Sequence, residues 1–437
     1  MSWSRSDGPG WTGSGLSTVL NGGITTPQTA TTIVSLTPPT GGVSAPLTVA
    51  RAEPATIEPM RQMARAAYRR GAIEEAGALQ QRVLDGARAA GQAAAEDFLF
   101  LGLIHYARHD LDRGVATLRD GLAAFPKHAS IHENLAVFLL AQGQLADSVA
   151  ASLQALALGS DSPNVFDCLS DAYNRLGRRD EAIEAGRKAL VAKDRRFGTR
   201  PPLVEIPQTL PPAFNPHNPA ENVIAYCLWG NDPRYHVPLL ENARIRPHLF
   251  PTWTIRVYHD DTVDPSVLST LASHGVELRQ MGLSPNVPAH RRLLWRFEVV
   301  ADPTVRRFLC RDADSLLNVK ERVAVDAWLM SDRWFHAMRD WYTHTDLLLA
   351  GMWGGVGNVL PPVPTLLSCY TAWRVENDHV DQDVLSETVW PTIRNHVLIH
   401  DSVFAPCLGS VPFPPYGALP DGSHVGQNAF LHFARKV

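Results

Sequence analysis

Residues 307–317 read RFLCRDADSLL, an apolar run that ends in an arginine and two aspartates separated by one alanine. The run at 308–310 has the character of a buried β-strand. Polar residues directly after such a strand lie at its carboxyl end, where open α/β sheets bind their ligands. The stretch therefore predicts a strand of a mainly parallel sheet, with Asp312 and Asp314 at the ligand-binding edge.

The sequence on both sides of this stretch alternates between strand-like and helix-like patterns. An alternation of strands and helices is typical of an α/β domain with a mostly parallel sheet. An Asp–Pro pair predicts a helix start, because aspartate caps the first turn and proline fits into it. The predicted strands are NVIAYCLWG (222–230), WTIRVYHDD (253–261) and VELRQM (276–281), and the predicted helices begin at Asp264 and cover 291–301.

The region before residue 195 repeats itself every 34 positions. Large residues recur where two helices pack and small ones where helices must approach closely, which predicts stacked helix pairs. FDCLSDAYNRLGRRDEAIEAGRKAL (166–190) resembles the tetratricopeptide repeat, and AAYRRGAIEEAGAL (66–79) is a looser copy, so three clear repeats and a fourth are expected. The positions that recur are Phe98, His132 and Phe166; Leu101, Leu135 and Leu169; Gly102, Ala136 and Ser170; Gly114, Ser148 and Ala182; and Gly121, Ala155 and Ala189.

These patterns divide the chain into four parts. Residues 1–52 are rich in Ser, Thr, Gly and Pro without any period, which predicts a disordered arm. Residues 53–194 form the predicted helical-repeat domain, an α-solenoid. Residues 195–220 are dense in proline and predict a linker. Residues 221–437 form the predicted α/β domain.

Composition excludes several classes of protein. The chain has 437 residues, enough for two or three domains, and its net charge of −4 predicts no nucleic-acid partner. Its five cysteines form no C-x-x-C pair, which argues against a zinc knuckle and fits a reducing, cytoplasmic location. The start of the chain lacks the apolar core of a signal peptide. Residues 347–373 carry no charge, but their glycines and prolines predict interior loops rather than a transmembrane helix.

The spacing of the two aspartates suggests a metal site. In an extended chain, Asp312 and Asp314 face the same side, roughly 6–7 Å apart at about 3.3 Å per residue. Two such carboxylates repel each other, and a divalent cation relieves the repulsion. Oxygen ligands suit Mg²⁺ or Mn²⁺, which usually complete their shells with water and substrate phosphates. The alternative is a turn in which one aspartate pairs with Arg311 and the other is solvated.

The order of several motifs resembles that of GT-A nucleotide-sugar glycosyltransferases of the D-x-D type. The resemblance covers about residues 222–430. It implies a Rossmann-like, mostly parallel sheet, a UDP- or GDP-sugar donor and a bound Mn²⁺ or Mg²⁺. The matching segments are YCLWGNDPRY (226–235), RFEVVADPTVRRFLCRDADSLL (296–317) with VKERVAVDAWL (319–329), MRDWYTHTDLLLAGMWGG (338–355), DQDVLSETVWP (381–391), in which Ser386 replaces the usual Asn, and VLIHDS (397–402).

The resemblance assigns a metal set to this chain. Asp312 contacts the ribose or the metal, and Asp314 binds the metal directly. His400 is the first choice for a third ligand, and His424, in SHVGQNAF (423–430), is the second. With 17 histidines in the chain, an ordinary core or surface histidine is the alternative for either of them.

The resemblance also assigns the catalytic and sugar-binding groups. Asp381 or Asp383 is the base of an inverting reaction, or Gln382 stabilises the charged transition state of a retaining one; the alternative is that these acids complement a helix dipole. Asn231 and Asp232 contact base and ribose, or serve as turn residues. Arg339 and Asp340 hold sugar hydroxyls, or pair with each other. The remaining assignments to the nucleotide and sugar are Arg311, Gly351, Gly354 and Gly355, with Arg291 and Arg292 as further sources of positive charge.

Two other functions compete with this assignment. A haloacid-dehalogenase-type phosphatase carries D-x-D-x-[TV] after a strand, but Ser315 replaces Thr or Val and about ninety residues of α/β pattern come first. A repeat scaffold with an inactive α/β domain is the other alternative, and metal-dependent turnover of a nucleotide sugar separates it from an enzyme. The repeats predict a protein partner, or a glycan or protein acceptor.

Overall fold

A computed structural model describes residues 57–282, 289–371 and 379–429. The predicted arm at 1–52 lies outside these residues. The described chain forms a helical region followed by a mixed, mostly parallel sheet with helices around it. This order agrees with the predicted combination of an α-solenoid and an α/β domain.

The helical region consists of antiparallel helix pairs, each packed against the next. The sequence repeat accounts for the pairs, and the looser copy at 66–79 falls on the first of them. Close approach depends on the small residues at the repeat positions: a Cβ at Gly114 would lie 2.0 Å from the ring of Phe138. The helices are α1 (Ile57–Arg69), α2 (Ile73–Ala89), α3 (Ala95–Ala107), α4 (Leu111–Ala124), α5 (Ala129–Ala141), α6 (Leu145–Ala157), α7 (Pro163–Arg175) and α8 (Arg179–Phe197).

The second region is built on a seven-stranded sheet of order β3-β2-β1-β4-β6-β5-β7. Strand β6 runs antiparallel to both of its neighbours, and the other pairs of neighbouring strands are parallel. The predicted strands at 222–230, 253–261 and 276–281 are confirmed. The strands are β1 (Asn222–Leu228), β2 (Thr254–His259), β3 (Glu277–Gln280), β4 (Arg307–Arg311), β5 (Phe335–Arg339), β6 (Met352–Val356) and β7 (Val397–Asp401).

Helices cover both faces of this sheet. Asp264 caps a helix as predicted, because its Oδ1 accepts a hydrogen bond of 2.7 Å from the Ser266 N–H. The predicted helix at 291–301 is a 3-10 helix over Ala289–Ala301, which is long for this type. The α-helices are α9 (Pro233–Leu249), α10 (Pro265–Ser273), α11 (Val319–Leu329), α12 (Val363–Cys369), α13 (Val380–Val384) and α14 (Trp390–Ile393), and short 3-10 helices lie at Pro219–Glu221 and Cys407–Gly409.

The uncharged segment 347–373 differs from its prediction as interior loops. It contains strand β6 and helix α12, and Trp353 and Leu366 within it are fully buried. The glycines of β6 allow close packing between strands, which a sequence rule treats as loop formation. Among the described residues, no helix is both long enough and apolar enough to cross a membrane.

The end of the helical region packs directly against the sheet region. Phe404, which follows β7, places its ring 2.1 Å from where a Cβ of Gly186 would be. The Ser170 hydroxyl on α7 donates a hydrogen bond of 2.7 Å to the carbonyl of Tyr342, which follows β5. Buried Lys193 on α8 contacts Asp346 at 2.7 Å. The α/β region therefore packs directly against the last helix pair of the repeats.

Candidate functional site

The strand order places a candidate site between β1 and β4. Strands β2 and β3 continue to one side of β1, whereas β4 lies on its other side. At such a reversal the connections diverge, and a crevice opens beyond the carboxyl ends of the two strands. Asp312 and Asp314 follow β4 at this edge, and Asn231 and Asp232 follow β1.

Asp312 lies at this edge with part of its side chain accessible to solvent. Its Oδ1 accepts a hydrogen bond of 2.6 Å from Arg296, while its side chain stays 41% exposed. A Cβ at Gly351 would lie 1.9 Å from its Oδ2, so any larger residue there would displace this carboxylate. Asp312 thus combines one fixed oxygen with surface that remains open to a ligand.

Asp314 lies deeper than Asp312. It is buried, and its Oδ2 is 3.6 Å from the guanidinium of Arg234 in the first turn of α9. Its backbone carbonyl accepts a hydrogen bond of 2.7 Å from the Ala429 N–H. The carboxyl-terminal segment therefore fixes the backbone of the D-x-D motif from outside the sheet.

Arg296 joins the D-x-D motif to the D-Q-D motif. This arginine of the 3-10 helix is 2% exposed, and its guanidinium lies 2.6 Å from Asp312 and 2.5 Å from Asp381. Burial alone would lower the pKa of Arg296, but the charges of Asp312 and Asp381 together raise it. The guanidinium therefore stays charged between two acidic motifs that are far apart in the sequence.

The D-Q-D residues lie in the first turn of α13, which continues through a π-helical turn at Leu385–Val389. Asp381 and Asp383 are both buried. The side-chain oxygen of Gln382 is buried and has no hydrogen-bond partner among the described residues. An amide oxygen of this kind can accept a hydrogen bond from a hydroxyl of a ligand.

The predicted nucleotide-side residues are engaged in local turn chemistry. The Oδ1 of Asn231 accepts a hydrogen bond of 2.7 Å from the Asp264 N–H. Asp232 caps α9, with its Oδ1 3.0 Å from the Arg234 N. Both residues lie at the predicted edge of the sheet. Their side chains serve as turn residues, which was the alternative to contacts with base and ribose.

Two predicted sugar-binding arginines are core residues of the fold. Arg311 does not pair with either aspartate of the D-x-D motif; its Nε is 2.5 Å from Glu321 of α11, and it is 2% exposed. Arg339 does not pair with Asp340, because its Nε donates to Asp401 at 2.9 Å. Their burial in the sheet leaves neither guanidinium directed at the crevice.

Asp340 and two of the predicted glycines also have structural partners. Asp340 lies 2.5 Å from Lys320 and accepts a hydrogen bond of 2.8 Å from the Val425 N–H. Gly354 and Gly355 lie inside β6, where a Cβ would meet the Phe308 carbonyl oxygen or the Phe335 ring at 2.4 Å. These two glycines serve strand packing, whereas Gly351 serves the site.

The sheet separates His400, the first candidate histidine, from the aspartates. His400 lies on β7, three strands from β4, which is roughly 14 Å at about 4.8 Å per strand. Its Nδ1 is 2.9 Å from the Nε2 of His336. His424 stacks on Trp341 with ring centroids 5.0 Å apart, beside the end of β5. Within 57–282, 289–371 and 379–429, no three His, Cys, Asp or Glu residues form a metal-binding group.

Asp312 and Asp314 lie in a turn rather than in the extended chain that was predicted, because the Ser315 N–H donates a hydrogen bond of 3.2 Å to the Asp312 carbonyl. Mg²⁺ and Mn²⁺ bind through one or two carboxylates and take water and substrate phosphates as further ligands. The exposed part of Asp312 could supply one such carboxylate, whereas Asp314 is buried with its Oδ2 3.6 Å from Arg234. His400 lies too far along the sheet to join Asp312 on one cation.

The sequence analysis missed three arginine contacts at this edge. Arg234 lies beside Asp314, and Arg292 has its Nε 3.1 Å from the Oδ2 of Asp260, which follows β2. Arg296 was overlooked although it stands in the apolar run Leu-Leu-Trp-Arg-Phe. An arginine with large apolar neighbours on both sides is expected to be buried and paired, and this signal was available in the sequence.

Comparison with known proteins gives little further information. No protein-family model and no curated protein matches the chain. An O-GlcNAc transferase mutant of Thermobaculum terrenum matches with 22% identity and a TM-score of 0.33, over 52% of this chain and 41% of the transferase. MamA of Desulfovibrio magneticus RS-1 matches with 21% identity and a TM-score of 0.29, over 33% of this chain and 77% of MamA.

A further MamA structure matches with 17% identity and a TM-score of 0.30, over 33% of this chain and 82% of MamA. The chain thus spans about two fifths of the length of the transferase. With TM-scores near 0.3, these likenesses carry no argument about activity.

Proposed function

We propose that this protein is a metal-dependent glycosyltransferase of the GT-A type, which transfers a sugar from a UDP- or GDP-sugar to a hydroxyl acceptor. One observation supports the proposal most. The D-x-D and D-Q-D motifs, whose order along the chain resembles that of such enzymes, meet on a single guanidinium. They meet beside the crevice in which α/β sheets bind nucleotides.

The residues of the site suit the stages of such a transfer. Asp312 and Asp314 would hold Mn²⁺ or Mg²⁺, and the bound cation would stabilise the charge that develops on the departing diphosphate. On the D-Q-D turn, Asp381 or Asp383 would act as base on the acceptor, or Gln382 would stabilise the charged transition state. A group that interacts more strongly with the transition state than with the ground state accelerates the reaction.

The helical region has a proposed role in presenting the acceptor or an assembly partner. Its last helices contact Tyr342 and Asp346, which follow β5 at the carboxyl edge of the sheet. A protein bound to the repeats would therefore be held at a constant position relative to this edge. The acceptor is proposed to be a protein, or a glycan carried by one.

The test is a panel of UDP- and GDP-sugars with Mn²⁺, scored by nucleotide binding and by slow hydrolysis of the donor. Asp314→Asn removes a charge from the site and is expected to reduce hydrolysis to about one-hundredth or less. Asp326→Asn is the matched control, because Asp326 is a half-exposed partner of Arg322 on α11. If no nucleotide sugar is hydrolysed, or if Asp314→Asn equals the parent, the proposed function is wrong.

A further inference from the structure

We infer that Arg296 is a positioning residue that sets the distance between the donor-side Asp312 and the D-Q-D turn. The inference rests on the proposed function. It also assigns a role to one acid of the D-Q-D motif: Asp381 holds Arg296.

The geometry of the guanidinium carries this inference. Nη1 of Arg296 donates to Oδ1 of Asp312 at 2.6 Å, and Nη2 donates to Oδ2 of Asp381 at 2.5 Å. The planar fork of an arginine fixes the directions of its donors, so two acids that bind separate nitrogens are fixed relative to each other. Each of the two nitrogens thus binds one acid, and the two acids belong to different motifs.

Burial makes the contact of Arg296 with Asp381 and Asp312 sensitive to the loss of a charged partner. Arg296 is 2% exposed and the side chain of Asp381 is 5% exposed, while that of Asp312 is 41% exposed. A buried charge needs its partner, because loss of one member leaves the other uncompensated in a medium of low polarity. Asp381 and Arg296 therefore depend on each other, whereas Asp312 can also turn to a ligand on its open side.

This arrangement gives Asp381 a structural role. An acid that is hydrogen-bonded to a buried guanidinium is a poor proton acceptor, because protonation would break a charge-assisted pair. Asp381 is therefore committed to Arg296. The side-chain oxygen of Gln382, which has no hydrogen-bond partner among the described residues, can accept a hydrogen bond from a ligand hydroxyl.

The closing experiment compares Arg296→Lys with Arg256→Lys. Arg256 is a matched control, because it is also 2% exposed and also bridges two acids, Glu277 and Asp302, at 2.7 Å each. Asp302 precedes β4, so this pair lies at the opposite end of that strand from the site. Lysine keeps the charge in both variants but lacks the fork that holds two acids in fixed directions.

The readouts are the melting temperature and the kcat and donor KM for nucleotide-sugar hydrolysis. We expect similar melting temperatures for the two variants. Arg296→Lys is expected to lower kcat roughly 100-fold through misplacement of the reacting groups. Its donor KM stays within about threefold, because donor binding in the ground state is retained. Arg256→Lys is expected to keep the parental kcat.

A further variant tests the role of Asp381. Asp381→Asn retains an oxygen for Arg296 and is expected to lower kcat less than Arg296→Lys does. The inference is overturned if Arg296→Lys and Arg256→Lys have equal kcat, or if Asp381→Asn lowers kcat more than Arg296→Lys. A parent that hydrolyses no nucleotide sugar refutes the proposed function itself, and the inference with it.

Discussion

His336 and His400 form a buried pair between two strands. Burial lowers the pKa of His400 to about 4, and burial together with the neighbouring His400 and Arg311 lowers the pKa of His336 well below its usual value. Both rings are therefore neutral in the folded protein near neutral pH. The unfolded chain takes up protons near pH 6.5, so protons bind preferentially to the unfolded state between pH 6.5 and 4.

The free energy of unfolding is therefore expected to fall as the pH decreases through this window. His400 alone should account for a loss of about 2 kcal/mol between pH 7 and pH 5. Urea unfolding of the parent and of His400→Gln at pH 7 and pH 5 measures this loss. The free energy of unfolding should change less in the variant than in the parent. His217→Gln, at an exposed position, should keep the parental slope. Equal slopes in the parent and His400→Gln would contradict the expectation.

The substitution Gly351→Ala tests the site through the addition of a single methyl group. A Cβ there would lie 1.9 Å from the Oδ2 of Asp312, so Gly351→Ala should push this carboxylate away. Hydrolysis of the nucleotide sugar should fall on the order of 100-fold, the usual effect of a misplacement of about 1 Å. Gly282→Ala is the control, since a Cβ at Gly282 meets nothing within 4 Å. Parental activity in Gly351→Ala would show that the Asp312 position is unimportant.

At the scale of single residues, the sequence predicted the positions of acidic residues better than the contacts of arginines. Asp312 and Asp314 could be placed at the sheet edge because they end an apolar strand. The partners of Arg296, Arg311 and Arg339 could not be predicted, because each contact joins segments that only the folded sheet brings together. Long-range pairing of this kind leaves no local spacing to detect.

At the scale of elements, the carboxyl-terminal segment 422–429 connects two strand ends. The Val425 N–H donates to Asp340 after β5, and the Ala429 N–H donates to the carbonyl of Asp314 after β4. Between them, Gly426 has a φ of +76°, and a Cβ there would lie 2.6 Å from the Met352 sulfur. The segment therefore supports the D-x-D backbone through one tightly packed glycine.

A pair of glycine variants separates this packing from backbone strain. Gly422 has a φ of +78° but nothing within 4 Å of its Cβ position. Gly422→Ala should therefore cost only about 1 kcal/mol of strain, with unchanged hydrolysis. Gly426→Ala adds the clash with Met352 and should lower hydrolysis on the order of tenfold as well. Urea unfolding and donor hydrolysis measure the two effects, and identical behaviour of the variants would refute the supporting role of the segment.

The types of most elements followed from the sequence, with two informative failures. Strand β6 was hidden because its glycines suggested loops, although they allow close contact between strands. The 3-10 helix at Ala289–Ala301 was predicted only as a helix, because an apolar pattern does not distinguish i→i+3 from i→i+4 hydrogen bonds. Both failures arise from backbone geometry that residue types describe only weakly.

At the scale of the whole molecule, Phe404 couples the two regions. Its ring is fully buried against Gly186, and its backbone carbonyl accepts a hydrogen bond of 3.0 Å from Arg187. Phe404→Ala should cost about 3–5 kcal/mol, the usual range for a buried phenylalanine. We expect calorimetry to show separate transitions for the two regions of this variant, in place of a shared one.

Tyr416→Ala is the control for that experiment, because Tyr416 is an aromatic residue that is 71% exposed. It should unfold like the parent. A Phe404→Ala protein with parental stability and an unchanged transition would show that the contact with Gly186 does not couple the regions. The sequence predicted both regions and their order. The contact between the regions could not be predicted, because Phe404 fills a space beside Gly186 that exists only once the helices are stacked.

The position of Phe404 also limits how this architecture can change in length. Gene duplication could add helix pairs before α1 without disturbing any contact described for the sheet. A pair inserted after α8 would have to displace Phe404, Tyr342 and the partner of Lys193 together. Growth of the solenoid in evolution is therefore expected to be one-sided, with new repeats accumulating at the end farthest from the crevice.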